Sequence, residues 1–109
     1  MNAKQEFIEH TFGKEVLCAQ LYTEGEYDDD YLDRMKTYYN LPVDYTAIAV
    51  RDFLNSLDFD YDSGYGGQEL FGFIWYKDGT WSERGEYDGS EWWVYKSCPS
   101  IPNELRKEN

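Results

Sequence analysis

The chain has 109 residues, with 22 acidic against 10 basic side chains and a formal net charge of −12. That length suits one domain with one core, spanning 1–109, and an aromatic content of 19% is far too high for a disordered acidic tail. A surface this negative repels nucleic acid and anionic membrane, so a macromolecular partner drawn in by the long-range field carries a positive patch.

Asn2 is placed to cap a short helix running to about Phe12, with Phe7 and Ile8 as its apolar stripe and Gly13 as its stop. Neither this amino terminus nor any later run reaches the apolar length of a signal peptide or of a membrane span, so the expected location is cytoplasmic. Cys18 and Cys98 stand alone, which suits reduced thiols in that compartment. Lys14 to Thr23 is apolar on both faces and reads as an interior strand.

Glu24 to Asp33 holds Glu24, Glu26, Asp28, Asp29, Asp30 and Asp33 with no base, so mutual repulsion points to an exposed loop, punctuated by Tyr27 and Tyr31. Met35, Thr37 and Tyr39 alternate with Lys36, Tyr38 and Asn40, which favours a strand over Arg34 to Leu41, although Leu32, Met35 and Tyr39 also have helical spacing. Pro42 ends it. Asp44 or Thr46 then caps the main helix, to about Leu57, whose stripe is Ala47, Val50, Leu54 and Leu57 with Phe53 beside it.

Two Asp-Gly turns, Asp78-Gly79 and Asp88-Gly89, sit between aromatic and β-branched runs and predict two consecutive hairpins, a three-stranded meander holding all four tryptophans. A two-residue turn at the first pairs Tyr76 with Trp81, Ile74 with Glu83 and Trp75 with Ser82. The same rule at the second sets Glu86 opposite Glu91, a like-charge pair, so a three-residue loop pairing Glu86 with Trp92 is preferred. The fold class is α+β: an antiparallel sheet of about five strands with a carboxy-terminal meander, packed on one main helix and a short amino-terminal helix.

Asp58, Asp60 and Asp62 are followed by Glu69 at the spacing of ligand positions one, three, five and twelve of a calcium loop. Against calcium, Gly64 falls one place late for the turn glycine, Tyr65 replaces the aliphatic at position eight, and a strand pattern comes next where an EF-hand needs a helix. The alternative is a solvated loop with Phe59 and Tyr61 turned inward. His10 is the lone histidine, read as a surface or packing residue, and no nucleophile elbow, phosphate loop or zinc helix occurs. The expectation is a binding protein that is not an enzyme and uses no cofactor.

Aromatic rings stack on bases in single-strand binders, but there a positive groove accompanies them, and this chain has the opposite charge. Carboxylates interleaved with tyrosines on a rigid frame instead imitate a phosphate array and fit a Lys/Arg-lined groove. The other readings of the same charge are solubility alone, or a general protein-interaction module using aromatic surface.

From Asp78 to Pro102 the text DGTW, then R-x-EYDGSEWW, then P-x-IP resembles small uncharacterised proteins of tailed bacteriophages, the likeness beginning near Leu57 and covering the carboxy-terminal half. The resemblance implies phage or mobile-element origin and supplies no catalytic residue. By class, small acidic phage proteins include anti-CRISPR and anti-restriction inhibitors that mimic DNA. The function expected is therefore a phage-encoded acidic inhibitor, acting in the cytoplasm of a host bacterial cell. It would be a nucleic-acid mimic occupying the basic nucleic-acid-binding surface of a host defence protein such as a CRISPR effector or restriction nuclease. It would bind neither nucleic acid nor membrane directly. Glu24, Glu26, Asp28, Asp29, Asp30 and Asp33 are the first candidates for phosphate-like contacts, with Tyr27 and Tyr31 as anchors and Asp58, Asp60 and Asp62 second. An exposed sheet edge also gives a homodimer a mechanism.

Overall fold

Among the described residues two helices lie on one face of a five-stranded antiparallel sheet, the α+β arrangement expected. In the computed structural model the described residues are 1–27, 34–61, 68–87, 89–100, 102 and 105. The elements run α1 (Ala3–Thr11), β1 (Val16–Tyr27), β2 (Arg34–Leu41), α2 (Ala47–Ser56), β3 (Leu70–Tyr76), β4 (Trp81–Tyr87) and β5 (Ser90–Lys96), and the strands order as β2-β1-β3-β4-β5. Among the described residues no helix is long and apolar enough to cross a membrane.

Both helix starts obey their capping residues. Asn2 Oδ1 accepts from the Gln5 N–H at 2.9 Å, and Thr46 Oγ1 accepts from the Ala49 N–H at 3.1 Å, each satisfying an orphan donor of the first turn. Asp44 has φ 61 and lies before the second helix, so Thr46 is its cap. Phe7 of α1 and Phe53 of α2 meet edge to face at 5.2 Å, and with Ala3 and Leu57 they cover Ala19, Leu21, Leu41, Leu70 and Ile74 of the sheet. Ile8, expected in the α1 stripe, is exposed instead, because one residue of helix rotates it by about 100° from the face that Phe7 presents.

β1 runs further than the sequence suggested, carrying Glu24, Glu26 and Tyr27 in a strand rather than a loop. β2 lies alongside by register: Glu24 pairs with Lys36, a cation that relieves part of the repulsion on which the loop assignment rested, and further along Tyr27 pairs with Arg34 in the ladder.

Both hairpin registers correct the expectation. In the first, Trp75 pairs with Trp81, Ile74 with Ser82 and Phe73 with Glu83, one residue from the predicted alignment. Asp78 Oδ1 accepts from the Thr80 N–H at 2.9 Å and from the Thr80 hydroxyl, and Gly79 takes φ 89, so Lys77, Asp78 and Gly79 form a three-residue loop ending on a left-handed glycine. In the second, Glu86 does face Glu91, and Tyr87 faces Ser90. The like-charge pair is tolerated because each carboxylate has its own partners. Glu86 accepts from the Gly89 N–H at 2.8 Å, while Glu91 is 3% exposed and turned onto Arg84.

Arg84, with its side chain 2% exposed, gathers the inner face at the β4–β5 end. Its Nη1 donates to Glu6 of α1 at 2.7 Å, and its Nη2 to Glu91 at 2.7 Å and to the Tyr61 hydroxyl at 2.9 Å. The guanidinium lies 5.0 Å from the Trp93 ring centroid. Burial works against its charge, but Glu6 and Glu91 outweigh that and hold its pKa above the ordinary arginine value.

Arg84→Met takes the cation away from the buried Glu91 and the partly buried Glu6, and a loss of about 3–5 kcal/mol is expected by denaturant titration. Gly72 takes φ 146, and a Cβ there would lie 2.5 Å from the Gln20 carbonyl oxygen, so Gly72→Ala should cost about 2–4 kcal/mol in the same measurement.

Candidate functional site

The registers decide which side chains lie away from the helices. On that outer face β1 presents Gln20, Tyr22 and Glu24, β3 presents Phe71, Phe73 and Trp75, β4 presents Trp81 and Glu83, and β5 presents Trp92. Phe73 is 43% exposed, Trp75 39% and Trp92 43%, and no described helix packs on them. An exposed aromatic surface of this kind makes the outer face the candidate contact site.

The rings are ordered among themselves. Tyr22 stacks on Phe71 with centroids 5.0 Å apart and 6° between planes, and Phe73 stacks on Trp75 at 5.7 Å and 26°. Trp92 pairs across from Gly85, where a Cβ would come within 3.0 Å of the indole nitrogen, so the missing side chain is what lets the indole lie on the strand. The Trp81 indole N–H donates to Glu83 Oε1 at 2.9 Å, fixing a carboxylate amid the rings. Gln20 Nε2 donates to Asn40 Oδ1 at 2.9 Å, and Lys36 lies 5.0 Å from the Tyr22 ring centroid.

The residues singled out from sequence divide between this face and elsewhere. Glu24 belongs to it, beside Tyr22. Glu26 and Tyr27 continue β1 from it, although their side chains are not among those described. Asp28, Asp29, Asp30, Tyr31, Asp33 and Asp62 lie outside the described residues. Asp58 and Asp60 are on the helix side, where the Asn2 amide donates to them at 3.2 and 3.3 Å and Asn2 and Asp60 form an isolated β-bridge. Glu69, the last residue of the calcium spacing, shares with Glu24 and Asp60 a cleft of about 300 Å³ lined also by Tyr39, Phe59 and Tyr61. Among the described residues no group of three or more His, Cys, Asp or Glu is placed to hold a metal ion.

Phe73, Trp75, Trp92 and Glu83 were missed as site residues. A signal existed: β3 is apolar at Phe71, Phe73 and Trp75 as well as at Leu70, Ile74 and Tyr76, and two helices cover only one face of a sheet.

His10 and Ser82 form the one pair of chemical interest outside this face among the described residues. His10 Nε2 lies 2.8 Å from Ser82 Oγ, which lies 2.7 Å from the Tyr76 hydroxyl, and the His10 ring stacks on Tyr95 at 4.0 Å. Ser82 is fully buried, so the chain of bonds ties α1 to β3 and β4. Cys18 and Cys98 are both free thiols, and burial raises the pKa of Cys18.

No protein-family model matches the chain, and no curated protein and no solved structure is significantly similar to it.

Burial, then the nearby charges of Arg84 and Lys14, lower the His10 pKa below its ordinary value of 6.5. The neutral ring is therefore favoured in the fold. Its contribution is complete above about pH 6.5 and declines as pH falls from there toward the lowered folded value. Thermal melts of the chain should lose stability as pH falls below about 6.5, and His10→Gln should flatten that loss; an unchanged slope would assign it to other groups.

Proposed function

We propose that the chain is a non-catalytic binding module that docks its outer sheet face onto a basic protein and inhibits that protein by occupying its surface. The uncovered aromatic face carries the reading. Trp and Tyr dominate the energetics of protein contacts, and rings held in place by their own neighbours lose little freedom on binding. The charge of −12 supports the choice of a basic partner, because it speeds encounter with a positive surface and repels nucleic acid.

A nucleic-acid mimic is the second reading, favoured by one observation: β1 leads from Tyr22 and Glu24 directly into the acidic stretch, so ring contacts and carboxylates adjoin. On this reading the target is a host nucleic-acid-processing or defence protein, and the phage resemblance of the carboxy-terminal half supplies the setting.

Capture from a bacterial lysate by the wild-type chain and by Trp75→Ala and Trp92→Ala variants tests both. The expected result is a basic protein that either substitution releases, each weakening the purified complex by about 2 kcal/mol or more. Steep salt dependence and displacement by DNA identify mimicry, while indifference to both leaves the aromatic contact alone. A concentration-dependent dimer in sedimentation, broken by Trp92→Ala, would assign the face to a second copy and overturn the reading.

A further inference from the structure

At the centre of the docking face, on whose assignment this proposal rests, Glu83 lies directly opposite Phe73, and its same-face neighbour Trp81 lies opposite Trp75. One carboxylate oxygen accepts the Trp81 indole N–H, and among the described residues no cation pairs with Glu83. The face's own lysines are Lys36 on edge strand β2, opposite Glu24, and Lys96 at the end of edge strand β5, opposite Trp81, while Val94 is the β5 residue opposite Glu83 and neither lysine forms an ion pair with Glu83. A carboxylate with acceptor capacity to spare therefore sits between exposed rings, on a protein with a net charge of −12.

We propose that Glu83, with the rings of Phe73, Trp75 and Trp81, receives a guanidinium, so that the partner is read through a projecting arginine rather than through positive charge in general. A guanidinium is planar, offers paired N–H donors to a carboxylate and stacks on aromatic rings with little cost in hydration. An ammonium is a compact, strongly hydrated point charge that gains less from the same surroundings. The chain already uses this combination internally, where Arg84 pairs with Glu91 at 2.7 Å and lies over the Trp93 ring.

Calorimetric titration of the full chain with hexa-arginine and hexa-lysine peptides, at low and at physiological salt, separates the two kinds of recognition. Hexa-arginine is expected to bind at least about tenfold more tightly at physiological salt. Glu83→Gln keeps an acceptor for the Trp81 indole and the size of the side chain, so it should fold normally, confirmed by circular dichroism, and abolish the arginine preference, bringing hexa-arginine down to the weak affinity of hexa-lysine. Equal affinities, or a preference that survives Glu83→Gln, would overturn the proposal. In that event Trp92→Ala decides the wider reading: weakened binding of both peptides keeps the docking face, and unchanged binding removes it as well.

Discussion

A buried guanidinium cannot shed its charge, so whatever surrounds Arg84 must supply compensation in fixed places. Four parts of the chain do so. Glu6 comes from α1, Tyr61 from the segment before β3, Leu70 from the start of β3 through its carbonyl at 3.3 Å, and Glu91 from β5. Burial, and then the Tyr61–Glu6 bond, push the tyrosine's pKa far upward, so its hydroxyl stays a neutral donor to Glu6 at 2.7 Å. The Glu91 carboxylate takes the remaining burden. It accepts the N–H groups of Glu69 and Leu70 at 2.8 and 2.9 Å, where β3 and β4 share only the pairs from Phe73 to Trp75. Side chains thus replace ladder hydrogen bonds where two strands splay, and backbone groups that would be orphaned are satisfied.

That arrangement fixes more than local stability. A replacement of such a cluster by well-packed apolar residues is often neutral in energy, so its value lies chiefly in specificity. Glu91 reaches Arg84 only if it faces inward, which puts Trp93 and Tyr95 on the helix side and Trp92 on the outer face. A slip of one residue would exchange those faces. The uncovered aromatic face and the buried charge are consequences of one register.

The features legible in the sequence are those set by near neighbours. Asn2 and Thr46 are caps by residue type and by the helical pattern that each precedes, the stripe of α2 has helical spacing, and the alternation from Arg34 to Leu41 gives a strand with the observed bounds. The registers were not legible, because each depends on a side chain that the turn rule ignores. Thr80 lends its N–H to Asp78 in the first hairpin, and Arg84 neutralises Glu91 in the second. Glu24 and Glu26 looked like a loop because their charges have no partner within the stretch; Lys36 comes opposite Glu24 only when β2 folds back. The aromatic face was hidden for a simpler reason. Alternation shows that Phe71, Phe73 and Trp75 share a face but not that both helices choose the other one.

An open aromatic face is costly in water unless it is organised, and the outer face is organised without a partner. Tyr22 and Phe71 hide ring area against each other, as do Phe73 and Trp75, and the amides of Gln20 and Asn40 satisfy one another. Trp92 rests over Gly85. Such a surface loses little on binding, since its rings are ordered beforehand, and it gains from any flat partner that excludes water. Discrimination must then come from the few polar groups with bonds still to make. Glu83 is held in orientation by an indole and paired with no cation among the described residues, so on the proposed reading it is the group that would set the chemistry of a partner.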